Sequence, residues 1–161
     1  MTPTATSRTP RQPDGPSRPE NPMKSGSCMC GAISFRVSCD LRQPDACHCL
    51  QCRKFSGHYF VSTDVPRSAL QIHGAEHITW FQSSERVRRG FCSICGCSMF
   101  FDPPAKDWIG IAMGAIDGAS GTSTELHVFV VEKGDYYGIT DGLPQYDRLP
   151  LPPTMPAPAP A

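Results

Sequence analysis

No apolar run in this sequence approaches the roughly 20 residues needed to span a bilayer. Residues 1–24 hold no apolar stretch of the kind that forms the core of a secretory signal. Asp14, Glu20 and repeated prolines in the same segment speak against an organellar transit peptide. Neither sign of charge is in excess, since 15 Lys and Arg balance 15 Asp and Glu. That balance gives no electrostatic reason to expect a nucleic-acid or membrane partner. The expectation is a cytoplasmic protein. Helical periodicity is missing too: no stretch sustains apolar residues at helical spacing over three turns. Proline is scarce in the middle of the chain, where only five of the 17 occur; six fall in residues 1–22 and six in 150–161. Pro-rich segments with few apolar residues bury too little surface to offset the entropy of ordering. Residues 1–23 and 150–161 therefore read as disordered tails around one folded domain at 24–149.

Within that domain the apolar period is near two. Ile33, Phe35 and Val37 alternate with polar residues, as in a half-buried strand. Short strands are predicted over 59–62, 69–73, 77–82, 87–91 and 98–101. The nearly continuous apolar runs 108–113 and 126–131 suit buried strands. One short turn of helix is expected around 50–55. The fold class is mainly β, in a single domain.

Cysteine is what the chain has in abundance, with nine. The count is odd, and the residues cluster as CMCG at 28–31, CHCLQC at 47–52 and FCSICGC at 91–97. Clusters of this spacing in a reducing compartment point to metal, and to zinc first. In Cys-x-Cys on an extended chain, both side chains fall on one side. In Cys-x-x-Cys followed by glycine, a tight turn aims two thiolates at one point, and Gly96 and Gly31 supply the backbone freedom. The seven clustered cysteines divide as four plus three. Cys28, Cys30, Cys92 and Cys95 are assigned to a closed structural zinc site, which ties an early strand to a late turn. The alternative is that the Cys-x-x-Cys belongs with the second cluster. In the four-plus-three division, Cys47, Cys49 and Cys52 hold a second zinc with an open position, or a closed one completed by Cys97 or His48. Cys39 stands alone and reads as a small buried or half-exposed thiol.

Several neighbours of these motifs are ambiguous from sequence. Arg53 and Lys54 follow the last ligand and could pair with a substrate carboxylate or stand in solvent. His48, between two ligands, should point away from a metal that both bind, leaving it as a supporting donor, a proton acceptor or a substrate contact. His58 could flank the site or sit at a strand edge. Trp80, Phe81 and Trp108 read as core, and His127 as a satisfied core histidine. The run Arg86, Arg88 and Arg89 reads as a solvated strand face.

The motifs GSCMCGAISF (26–35), CHCLQCRKFSG (47–57) and FCSICGCSMF (91–100) together resemble the glutathione-dependent formaldehyde-activating enzyme family, which also includes the centromere protein V domain. The resemblance extends weakly through Gly114, His127 and DGLPQY at 141–146. It implies a β-tent fold around a structural zinc, with two zinc ions per chain in the same four-plus-three division. It also implies a carbon–sulfur lyase reaction, in which glutathione bound at Cys47, Cys49 and Cys52 combines with formaldehyde to give S-hydroxymethylglutathione. The partner would be a small thiol or its aldehyde adduct. Chemistry leaves two other expectations open. Three thiolates weaken a zinc ion as a Lewis acid, and thiols add to formaldehyde with little help. A non-catalytic zinc-stabilised binding module, or a thiol-based redox sensor, would use the same residues.

Overall fold

The computed structural model describes residues 23–150. The disorder expected over 1–23 and 150–161 therefore lies, but for Met23 and Pro150, outside the described residues. Two sheets make up the fold. The smaller joins β1 (Lys24–Ser27), β2 (Ser34–Val37) and β5 (Leu70–His73) in the order β1-β2-β5, all antiparallel. The larger contains β3 (Asp45–Cys47), β4 (Phe60–Pro66), β6 (Ile78–Ser84), β7 (Val87–Cys92), β8 (Ser98–Asp102), β9 (Trp108–Ala112), β10 (Leu126–Val128) and β11 (Gln145–Tyr146). Its order is β11-β10-β3-β4-β9-β8-β7-β6. β10 runs parallel to β3 and to β11, whereas every other pairing is antiparallel. The only α-helix among the described residues is α1 (Leu50–Ser56), where a short turn was expected. No helix among them is long and apolar enough to cross a membrane.

The core lies between the sheets. Phe35 and Val37 of β2, with Ile33 just before it, meet Met99 and Phe100 of β8 and Ile109 and Ile111 of β9, all nearly or fully buried. The period-two pattern of 33–37 thus puts its apolar face inward. Each such side chain contributes roughly 1.5–3 kcal/mol by leaving water. Phe35 packs edge-on to Phe100 at 6.0 Å between ring centres. A side chain at Gly26 would overlap the Phe35 ring and the Ala115 carbonyl. The first strand can approach the core so closely only because that position is glycine.

Three expectations need correction. The apolar run 126–131 does not continue as a strand past Val128. Phe129 takes a left-handed conformation (φ 58°), and Val130–Glu132 form a 3-10 turn. The Glu132 carboxylate accepts the Leu50 N–H at 2.8 Å, and its carbonyl accepts from Arg53 Nη1 at 2.6 Å. The run bends because its end clasps the start of α1. Phe81 is 60% exposed, on the outer face of β6, and is not core. The arginine run is not a solvated face. Arg86 is exposed, but Arg88 packs over the Trp80 ring and pairs with fully buried Asp102 at 2.7 Å, an ion pair that Arg67 shares. Arg89 points to the other side of β7 and is only 3% exposed. Strands β1, β3 and β11 were not anticipated; they are short, and their residues (KSGS, DAC, QY) show no apolar alternation.

Candidate metal centres

Two groups of cysteines converge, and they are the two that the spacing suggested. Cys28 and Cys30 lie in the β1–β2 turn, Cys92 ends β7, and Cys95 lies in the β7–β8 turn. Their four sulfurs lie within 4.8 Å of one another. Cys28 Sγ is 3.5 Å from Cys30 Sγ, which is 3.8 Å from Cys92 Sγ. Tetrahedral zinc with Zn–S bonds of about 2.3 Å requires sulfurs about 3.8 Å apart, so the group fits the ion. Both turns place N–H groups on sulfur. The Ile33 N–H lies 3.3 Å from Cys28 Sγ, and the Cys97 N–H is the first cause that draws Cys95 down to about 6. Gly31 and Gly96 adopt positive φ (76° and 74°) directly after a ligand position, as the turns require.

The second group is Cys47 at the end of β3, Cys49 as the cap preceding α1, and Cys52 within α1. Their sulfurs also lie within 4.8 Å of one another. Cys49 Sγ accepts the Cys52 N–H at 3.4 Å. As bare thiols the three cannot all ionise. Hydrogen bonds from Cys47 and Cys52 draw Cys49 down to about 2, while Cys49, Cys52 and then burial push Cys47 up. A divalent cation removes that conflict by stabilising all three anions, so this donor set also fits zinc. Cys52 is 2% exposed, whereas Cys47 and Cys49 are half-buried, so the group has a buried side and a solvent side.

Neither fourth ligand considered from sequence reaches this group. Cys97 belongs with the other cluster, where its thiol is acted on by Met29, Cys95, Cys28 and Cys92 and is pushed up chiefly by burial. His48 is fully buried, with both ring nitrogens engaged: Nδ1 with the Tyr137 hydroxyl at 2.6 Å and Nε2 with His127 Nδ1 at 2.8 Å. Burial first, then the His127 ring, hold its pKa down to about 4. His127 in turn meets Asp141 Oδ2 through Nε2 at 2.8 Å, which makes it the satisfied core histidine expected. His58 contacts the Tyr136 hydroxyl at 3.0 Å. Arg53 spends a hydrogen bond on the Glu132 carbonyl, and Lys54 is exposed at the end of α1.

Arg89 is the residue that sequence reasoning missed. Its Nη2 lies 3.5 Å from Cys52 Sγ, and its guanidinium sits 5.4 Å from the Phe55 ring centre and 5.3 Å from that of Phe101. Its Nε and Nη1 are buried without a hydrogen-bond partner, and no carboxylate pairs with it among the described residues. Cation–π contacts contribute about 0.5–2 kcal/mol each. Burying an uncompensated charge costs several kcal/mol. The rings alone do not balance that cost, and the cysteine group is the negative charge within reach. A signal was present in sequence: on a strand, adjacent Arg88 and Arg89 must face opposite sides, so one of them points inward.

The family model described as glutathione-dependent formaldehyde-activating enzyme matches residues 23–132. A Halomonas elongata protein named, provisionally, as such an enzyme is 32% identical over 124 residues, covering 71% of this chain and 79% of its own. A Schizosaccharomyces pombe protein named as an uncharacterized lyase is 26% identical over 80 residues, covering 50% of this chain and 58% of its own. A crystal structure of a Rhodobacter sphaeroides protein aligns with a TM-score of 0.48 at 25% identity, over 59% of this chain and 89% of that one. The matched segment takes in both cysteine groups and every strand from β1 to β10. On that extent of agreement, the chain belongs to the glutathione-dependent formaldehyde-activating enzyme family.

Proposed function

We propose that the four-cysteine group holds a structural zinc, and that the three-cysteine group holds a second zinc at which a small thiol, glutathione, binds and exchanges formaldehyde. The observation that carries this reading is the donor count. Cys47, Cys49 and Cys52 converge with no fourth histidine, cysteine or carboxylate in the group among the described residues. Three protein ligands and a free position are the pattern of reactive zinc sites, and four are that of structural ones. Zinc, when bound, supplies a position at which an incoming thiol ionises near neutral pH. The chain's own residues do the rest. Half-buried Cys47 and Cys49 leave the solvent side open, while His48 turns its ring away and keeps the Cys47–Cys49 backbone fixed. Lys54 offers an exposed ammonium for a glutathione carboxylate; Arg53, already bound to the Glu132 carbonyl, is less available.

In the forward direction the thiol sulfur forms a bond to the formaldehyde carbon, and the carbonyl π bond opens. The thiol proton ends on the new hydroxyl oxygen, giving S-hydroxymethylglutathione. The reverse step breaks the carbon–sulfur bond, which is the lyase direction. Calorimetric titration of glutathione into protein verified to carry two zinc ions tests the reading. Saturable binding is expected, with loss of binding in Cys49→Ser while the circular dichroism of the variant stays that of the parent. Absence of binding by the two-zinc protein would sink the reading in favour of a zinc-stabilised binding module.

A further inference from the structure

Arg89 approaches the three-cysteine group from its buried side, opposite the half-buried Cys47 and Cys49 where a ligand enters. Resting on the reading of that group as a zinc site with a free position, we propose that Arg89 makes the position select an anionic ligand, a thiolate, over a neutral one.

Charge decides the preference. A zinc ion with three thiolates carries one net negative charge. A neutral fourth ligand leaves it so, whereas a thiolate adds a second negative charge in a partly buried place. Like charges so close oppose each other, the more so toward the buried side of the group, where Cys52 and Arg89 lie. A fixed cation in contact with the group offsets that opposition, and only for the anionic ligand. Arg89 is suited to this in three ways. Its charge is permanent. It is held by the Phe55 and Phe101 rings, one from α1 and one directly across from it on β8. Its remaining nitrogens have no partner among the described residues, so its charge is not spent elsewhere there. Arg88 cannot take its place, because Asp102 already neutralises it.

The test uses the protein loaded with cobalt(II) at both sites, whose absorption bands report a fourth ligand, and two small probes. These are 2-mercaptoethanol, which binds as a thiolate, and imidazole, which binds neutral. In Arg89→Gln the affinity for 2-mercaptoethanol is expected to fall about ten-fold or more, with imidazole changed less than about three-fold. Arg89→Lys, which keeps the charge, is expected to recover most of the thiol affinity. The bands of the four-cysteine site should be unchanged in each variant and act as an internal check on folding. Arg89→Met, which keeps an apolar stem against the two rings, replaces Arg89→Gln should that variant fail to fold. Equal losses for both probes would reduce Arg89 to a packing role, and an unchanged thiol affinity would remove its role altogether. A parent protein that responds to neither probe would overturn the free position itself, an outcome separate from any difference between parent and variants.

Discussion

Asp141 stands at the end of a hydrogen-bonded file that runs through His127 and His48 to the Tyr137 hydroxyl. Its carboxyl is held below the ordinary range, chiefly by the His127 hydrogen bond, so it accepts and does not donate. His127 therefore carries a proton on Nε2. His48, buried and held to about 4, is neutral at pH 7, with one donor and one acceptor nitrogen. Where His127 Nδ1 accepts, His48 donates from Nε2–H and its own Nδ1 accepts from the Tyr137 hydroxyl. Nitrogen-15 spectra at about pH 7.5 are expected to show the His48 ring as the neutral Nε2–H tautomer; a His48 proton on Nδ1 would reverse the file. The file matters to the site because it locks the residue between two proposed ligands. How much of this was legible varied residue by residue. The cysteine groups could be read because each half of a group is local: two thiols and a turn within four to six residues. His48, His127, Asp141 and Tyr137 come from separate segments, and no local spacing announces their meeting. Arg89 was misread for a related reason. Its partners, Cys52 and Phe55, come from a helix some forty residues earlier in the chain.

Strand β4 crosses the middle of the large sheet, between β3 and β9, and carries a carboxylate there at a cost. Burial, and then the neighbouring Asp45 charge, raise Asp64 from 3.8 to about 6, with Arg42 opposing. The folded state thus binds the Asp64 proton more tightly than the unfolded chain. Stability from this group is full below about pH 4 and is lost as pH rises through about 6. A shift of this size corresponds to about 3 kcal/mol in a fully buried site. Asp64 is only partly buried, so solvent screening leaves about 1 kcal/mol. Asp64→Asn is expected to raise stability by about that amount at pH 7–8, with the gain vanishing below pH 4. Urea denaturation at both pH values measures it, and a variant less stable at pH 8 would contradict the sign. At this scale the elements with an apolar alternation or apolar run of their own were legible, β2 and β4 to β9 among them. The run 126–131 was not, because its strand ends where Glu132 is pulled onto α1, an event set by a distant hydrogen bond and not by the run's own hydrophobicity. Polar β3 escaped notice because its pairing with β4 and β10, more than its side chains, makes it a strand.

Across the whole molecule the two cysteine groups play unequal mechanical parts. The four-cysteine group joins a turn of the small sheet to a turn of the large one, and Cys30 and Cys92 are 62 positions apart in the chain. The three-cysteine group spans only residues 47–52, and closing so short a loop restrains little of the unfolded chain. Structural zinc sites in small peptides contribute about 10–16 kcal/mol of apparent binding energy, which rivals the 5–15 kcal/mol total stability of an ordinary domain. Loss of the first zinc should therefore separate the sheets, and loss of the second should cost only local order around α1. Titrating the two-zinc protein with a chelator is expected to remove the metal in two stages. The first equivalent leaves with the strand signal in circular dichroism intact and near-ultraviolet change confined to local aromatic side chains. The second leaves only together with the strand signal. Cys49→Ser should show the second stage alone, and Cys92→Ser should lack a stable fold even with zinc in excess. Release of both ions in one cooperative step would mean that α1 and its cysteines are as central to the fold as the turns that join the sheets. Release of both with the fold intact would mean that the buried apolar contacts between the sheets suffice on their own.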